Sequence, residues 1–277
     1  MKKLQLIIVF ILVICAMHAQ QTAFKVEVVG KGEPVLLFPG FTCTGDVWKE
    51  TVAVLSANHE CHIFTFAGFG AVPAIEKPWL PKIKEQVIDY VNRLKLKKPV
   101  IIGHSLGGTL GLWLAAEQTS LFKKLIIVDA LPAAGALMIP RYNADSIQYD
   151  TPYSKQLLAM DSVKFKTMAL QSASFMCLNK EKQARLVDWI LEADRQTYVY
   201  GYIDMLKLDL RESIAKITIP VIILAATYPD KKVIEVTYNT QYQKLPGKTI
   251  FYADNSAHFV MLDQPGWFME KIKENVN

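Results

Sequence analysis

KPVIIGHSLGGTLGLWLAAE, residues 98–117, decides how the rest of the chain is read. It opens with a short β-branched apolar run, Val100-Ile101-Ile102, the pattern of a buried strand. It closes with Leu110, Leu112, Trp113, Leu114, Ala115 and Ala116, the pattern of a mostly buried helix. Between them stands Gly103-His104-Ser105-Leu106-Gly107, a G-x-S-x-G sequence. The chain must turn from strand to helix within these few residues, which forces Ser105 into a strained backbone conformation. Side chains two positions before and after it would collide, so glycine is required at 103 and 107. Such a turn raises the Ser105 hydroxyl above the sheet and leaves the first N–H groups of the helix free to bind what reacts there.

The same grammar extends in both directions. Phe24 to Val29 alternates apolar and charged residues, as an antiparallel strand does, and Val35 to Phe38 is a buried strand. A helix from about Val47 to Leu55, a strand from His62 to Phe66 and a helix from Pro81 to Leu94 follow. Beyond the central stretch, Leu125 to Val128 is a strand ending at Asp129. From about Leu131 to Arg211 no β-rich run occurs, and helical segments rich in Tyr, Met and Phe take over, with Met160, Phe165, Tyr198 and Tyr202 among them. Strands resume at Val221–Leu224 and Thr249–Tyr252, and Pro265 starts a final amphipathic helix. Alternating strands and helices predict an α/β fold: a mostly parallel twisted sheet of about seven to eight strands with helices on both faces. The helical insertion, at about 131–212, is expected to roof the edge where the serine turn opens.

The first 19 residues stand apart. Lys2 and Lys3 precede a run from Leu4 to Ala16 interrupted only by Gln5, and small residues follow at Ala16 and Ala19. This predicts an export signal cut after Ala19, leaving a domain of residues 20–277 that is periplasmic or secreted. Lipidation at Cys15 is a weaker alternative because Ile14 is bulky where a small residue is expected. Loss of the two lysines takes the formal charge from +5 to +3, too mild for a nucleic-acid partner or a membrane surface. Cys43, Cys61 and Cys177 form no disulfide framework, although a Cys43–Cys61 bond is possible. No zinc-type spacing and no glycine-rich phosphate loop occurs, so no metal and no cofactor is expected.

Taken together, Pro39-Gly40-Phe41 with Trp48, the Gly103–Gly108 turn, Ile219-Pro220 before a strand, and His258-Phe259-Val260-Met261-Leu262 followed by Pro265 resemble the α/β-hydrolase fold superfamily in its capped form. The resemblance covers about 24–131 and 213–277. It departs where the superfamily usually has His-Gly and this chain has Pro39-Gly40. The resemblance implies a Ser–His–acid hydrolase with Ser105 on a nucleophile elbow.

A serine hydroxyl needs a base within hydrogen-bond reach, and His258 is the one histidine that follows Ser105. His104, inside the turn, is expected to point away from the hydroxyl. The base needs a carboxylate to fix its tautomer. The resemblance places that acid in the loop after Val221–Leu224, where Asp230 is the sole acid, about one residue late. Asp129, at the end of the preceding strand, is the rival, a position some members use. The oxyanion donors implied are the backbone N–H groups of Leu106 and Phe41. The expected activity is cleavage of a carboxylic ester, or a related acyl bond, of a small and partly apolar substrate through an acyl-enzyme. A proline-releasing aminopeptidase and a low-turnover secreted binding protein on the same fold are the alternatives.

Overall fold

The computed structural model describes residues 21–277. The expected export signal at 1–19, with Cys15, lies outside the described residues. The strands are β1 (Phe24–Val29), β2 (Glu33–Phe38), β3 (His59–Phe66), β4 (Val100–His104), β5 (Lys124–Val128), β6 (Val221–Ala226) and β7 (Lys248–Ala253). The core helices are α1 (Lys49–Leu55), α2 (Trp79–Arg93) and α3 (Leu106–Glu117). Between β5 and β6 lie α4 (Ala134–Met138), α5 (Pro152–Leu158), α6 (Ser162–Met176), α7 (Lys180–Glu192) and α8 (Arg195–Lys207). Then come α9 (Lys231–Gln241), α10 (Val260–Asp263) and α11 (Pro265–Asn275).

The strands form one sheet in the order β1-β3-β2-β4-β5-β6-β7. Only the β1–β3 pairing is antiparallel. The expected α/β sheet is therefore borne out with seven strands. Side chains alternate across a strand, so each apolar strand feeds two cores. Leu36, Phe38, Ile101, Leu125, Ile127 and Ile223 face Ile83 and Val87 of α2 and Leu110 and Leu114 of α3. Val35, Leu37, Ile102, Ile126 and Leu224 face Trp48, Leu55 of α1, and Phe268 and Ile272 of α11. Coverage on both faces is why β4 and β6 read as unbroken apolar runs. Each such side chain contributes roughly 1.5–3 kcal/mol of burial, and Ile101→Ala would cost about 2–5 kcal/mol.

The strand order reverses between β2 and β4, because α1 carries the chain one way from β2 and α2 carries it back past β2 to β4. The carboxyl ends at such a reversal form a natural crevice for ligands. Ser105 follows β4 there, and Phe41 follows β2.

Between β5 and β6 the described elements are all helical. The helices hold to the sheet domain through buried contacts and through charged groups, of which Asp204 is the most buried. Phe165, Trp189 and Ile190 join the core that contains Val35 and Leu224. Asp204 of α8 accepts hydrogen bonds from the Trp79 and Leu80 N–H groups at 2.5 and 3.0 Å, and from the Tyr149 hydroxyl. These are orphan donors of the first turn of α2, whose own cap residue, Pro78, offers no side-chain acceptor.

Three expectations change in detail. The segment from Val47 divides into a 3-10 turn, Gly45–Trp48, and α1. Strand β3 begins earlier, at His59, because His59 and Glu60 pair with Glu33 and Pro34 of β2. Cys43 and Cys61 are not bonded: the three cysteines among the described residues are buried free thiols, and the Cys61 sulfur turns back towards the His59 carbonyl at 4.0 Å.

Candidate active site

The strand-to-helix turn is as tight as its glycines predict. Ser105 sits at φ 51° and ψ −121°, outside the regions that a side chain favours. Holding it there costs on the order of 1–3 kcal/mol, which the surrounding packing must offset. A Cβ at Gly103 would lie 2.4 Å from the Gly107 carbonyl oxygen, and one at Gly107 would lie 2.3 Å from the Phe38 carbonyl oxygen. Neither position accepts any side chain without moving backbone.

Backbone pairing continues past the strand ends and sews the rim together. Ser105 N–H donates to the Val128 carbonyl at 2.9 Å, and Asp129 N–H donates to the Leu224 carbonyl at 2.9 Å. The N–H groups of Thr227 and Tyr228 both donate to the Ser256 carbonyl, at 3.1 and 2.9 Å. Loops from β4, β5, β6 and β7 are thereby placed side by side, although Ser105 and His258 lie 153 residues apart in the chain.

On that rim Ser105 Oγ is 2.8 Å from His258 Nε2, and His258 Nδ1 is 2.6 Å from Asp129 Oδ2. An ionised carboxylate only accepts, so Nδ1 carries the proton and Nε2 is left to accept from the hydroxyl. Asp129 also adopts a positive φ, 43°, and its Oδ1 accepts from the Ala226 N–H at 2.8 Å and the Tyr238 hydroxyl at 2.7 Å. Burial by itself would raise the Asp129 carboxyl pKa. The bond to and charge of His258, with the Tyr238 and Ala226 donors, outweigh it and hold the carboxyl below the usual aspartate value.

Asp230 is elsewhere, which corrects the preferred expectation from the sequence. Its Oδ1 accepts from the Lys232 and Val233 N–H groups at 2.9 and 3.2 Å, capping α9. The reason is local: the loop ends at Asp230, and the helix that starts there has orphan amides for a short carboxylate to satisfy. Asp129, the rival reading, is the carboxylate that meets His258.

Two further groups hold the His258 loop. The buried His104 ring is turned away from the hydroxyl, and its Nε2 donates to the His258 carbonyl at 3.0 Å. Burial and the neighbouring His258 push the His104 pKa down to about 3, so it is neutral at physiological pH. Asp263 accepts from Ala257 N–H through Oδ2 at 2.8 Å, and from the Leu178 and Asn179 N–H groups through Oδ1 at 2.9 Å each. One carboxylate thus ties the helical insertion to the residue beside His258. The sequence held no sign of this, nor of the Tyr238 contact.

The expected oxyanion donors occupy matching places. Leu106 begins α3, and the first bond that closes this helix is Thr109 N–H to the Ser105 carbonyl at 3.0 Å, leaving the Leu106 amide without an intrahelical acceptor. Phe41 follows Gly40, where a Cβ would lie 3.3 Å from Ser105 Cβ. The Phe41 ring packs against Phe69, Trp79, Tyr198 and Tyr202 with centroids 5.1–6.1 Å apart. The α8 helix reaches this cluster because position 201 is glycine: a Cβ there would lie 3.0 Å from Trp79.

Among the described residues no group of histidine, cysteine and acidic side chains could hold a metal ion, and no helix is long and apolar enough to cross a membrane.

Known proteins are similar to this chain in sequence, and solved structures are similar to it in fold. The 3-oxoadipate enol-lactonase 1 of Acinetobacter baylyi is 23% identical over 255 residues, 91% of this chain and 92% of that protein. The pimeloyl-[acyl-carrier protein] methyl ester esterase of Vibrio vulnificus is 23% identical over 248 residues, 88% of this chain and 94% of that protein. The crystal structure of the enol-lactonase from Burkholderia xenovorans superposes with a TM-score of 0.77 at 15% identity, covering 91% of this chain and 95% of that one. The profile of the alpha/beta hydrolase family matches residues 35–271. With its seven-stranded sheet and its serine turn after β4, the chain belongs to the alpha/beta hydrolase family.

Proposed function

We propose that the protein is a serine hydrolase that cleaves a carboxylic ester of a small, partly apolar substrate through an acyl-enzyme, with Ser105, His258 and Asp129 as its triad. The observation that carries this reading is the continuous chain from Ser105 Oγ through both ring nitrogens of His258 to a buried carboxylate. Similar proteins named as a lactonase and a methyl ester esterase support ester cleavage.

In this reading, His258 Nε2 takes the hydroxyl proton as Ser105 Oγ attacks the ester carbonyl. The carbonyl oxygen gains negative charge, and the Leu106 and Phe41 N–H groups receive it. Asp129 stabilises the imidazolium across Nδ1. The imidazolium then protonates the leaving alkoxide, and the acyl group stays on Ser105. Water repeats the sequence: His258 removes its proton, the hydroxide attacks the acyl carbonyl, and the serine leaves with the proton returned. The rings of Phe41, Tyr198 and Tyr202 suit an apolar portion of substrate beside the oxyanion loop.

A fluorophosphonate probe and a panel of p-nitrophenyl esters test the reading. Labelling is expected at Ser105, and Ser105→Ala or His258→Ala should cut ester turnover by about 10⁴-fold or more while the protein stays folded by circular dichroism. Retention of more than about a hundredth of the activity in Ser105→Ala would rule out the serine as nucleophile.

A further inference from the structure

We infer that Tyr238 is a positioning residue for the acid of the triad: its phenol and the Ala226 N–H together occupy Oδ1 of Asp129, which reserves Oδ2 for the imidazole of His258. The inference rests on the triad reading above and extends it to a fourth side chain.

The geometry is closed on every side. Tyr238 is 4% exposed, and its hydroxyl donates to Asp129 Oδ1 at 2.7 Å. Ala226 N–H donates to the same oxygen at 2.8 Å. His258 Nδ1 takes the other oxygen at 2.6 Å. A carboxylate held at one oxygen alone keeps freedom to tilt about that bond. Two donors converging on Oδ1 remove that freedom and fix the plane in which Oδ2 meets the ring.

The tyrosine is itself held. It lies one helical turn before Tyr242, the residue that closes α9, whose N–H donates to the Tyr238 carbonyl at 2.9 Å. The two rings stack with centroids 5.9 Å apart at 18°, and Tyr252 of β7 meets Tyr238 edge-on at 6.4 Å. The Tyr242 hydroxyl donates to the Ala130 carbonyl at 2.7 Å. One face of α9 therefore grips the Asp129 carboxylate and the backbone of the residue after it. Burial keeps both phenols protonated well beyond the ordinary tyrosine range, so Tyr238 stays a donor wherever the enzyme works.

The groups that face the carboxylate differ in what they do with pH. His258 approaches from the loop after β7 and Tyr238 from α9, with Tyr242 behind it, while Tyr252 of β7 meets the Tyr238 ring and not the carboxylate. His104, from the serine turn, is kept neutral by burial. Lys231 and Glu235 act on Tyr252 at the exposed side of β7. Removing the phenol returns a lone pair to Oδ1 and makes the carboxylate a stronger partner for the imidazolium. That favours the protonated ring, the form unable to accept the serine proton.

The test uses Tyr238→Phe, which keeps the stacked ring and loses only the hydroxyl. Both the fluorophosphonate labelling rate at Ser105 and kcat/KM on a p-nitrophenyl ester are followed through the pH range in which histidine titrates. The acid limb should move to higher pH by about half to one unit, with kcat at the plateau down roughly 3- to 30-fold and KM within about twofold. Tyr242→Phe, which loses an equally buried phenol bond to a carbonyl, should leave the limb in place. Replacing Tyr238 by 3-fluorotyrosine, a stronger donor of nearly the same shape, should move the limb to lower pH. This provides a readout even if the phenylalanine variant folds poorly. An acid limb unmoved in both position-238 proteins, or moved equally in Tyr242→Phe, overturns the inference. If Asp129→Asn keeps near wild-type activity, the triad reading has failed instead.

Discussion

The loops after β5 and β6 both carry an aspartate at the carboxyl edge of the sheet, and the two carboxylates do different work. Asp129 comes directly after β5, at φ 43°, and its side chain points along the rim to His258. Asp230 comes four residues beyond β6, at φ −142°, and its side chain folds onto the helix that follows. Placement in the backbone, not residue type or neighbouring sequence, separates them. The residue directly after the strand is fixed to the rim by a bond from its N–H to the Leu224 carbonyl, and its carboxylate is oriented there by Ala226, Tyr238 and His258. The residue further along meets the orphan amides of the helix start first, and its short carboxylate satisfies two of them, Lys232 and Val233 N–H.

The largest effect that could break this contrast is catalytic. Asp129→Asn should lower kcat by about 10⁴-fold with the fold retained, because an amide presents the wrong hydrogen-bonding pattern to Nδ1. Asp230→Asn should leave ester turnover within about twofold of wild type, since Asn caps helices as well as Asp does. Reversal of these two results in a steady-state assay would reassign the acid.

A second effect, on stability, sharpens the contrast by isolating the rim from either aspartate. The folded His104 pKa lies near 3 while the unfolded one lies near 6.5. The unfolded chain therefore binds this proton first. The stabilising contribution is complete above about pH 6.5 and is lost progressively as pH falls towards 3, on the order of a few kcal/mol in all. His62, also lowered by burial, adds to the same window. Asp129 is held below the usual aspartate value, so its own contribution disappears only at the lower end. Urea denaturation followed from neutral to acid pH should show this slope in wild type, in Asp129→Asn and in Asp230→Asn alike, and a shallower one in His104→Gln. An unchanged slope in His104→Gln would assign the acid sensitivity to other groups.

The smallest expected effect belongs to the cap. Asp230→Ala removes the acceptor for Lys232 and Val233 N–H and should destabilise by about 1 kcal/mol, lowering Tm by roughly 2–4 °C, with activity untouched. A loss of activity larger than the loss of folded protein would tie this loop to the chemistry after all.

Much of the fold was legible because its signals are local. Val100-Ile101-Ile102 can only be a doubly covered strand, and glycines at 103 and 107 can only serve a turn with no space for a Cβ. His258 was legible by elimination among histidines and by the pattern around it. The α9 helix was not, because Val233 and Val236 lie on its exposed face and blur the helical period. Asp263 and Tyr238 were equally hidden, since each acts on a residue whose partner comes from another part of the chain.

By itself, then, the sequence determined the sheet, the strained serine and its histidine, because steric exclusion and hydrophobic period operate within a few residues. The tertiary structure alone decided which carboxylate faces the imidazole and which phenol steadies it. Those contacts join residues 129, 226, 238 and 258 across two loops, the end of a strand and a helix. Their order in space follows from strand pairing and not from their order in the chain.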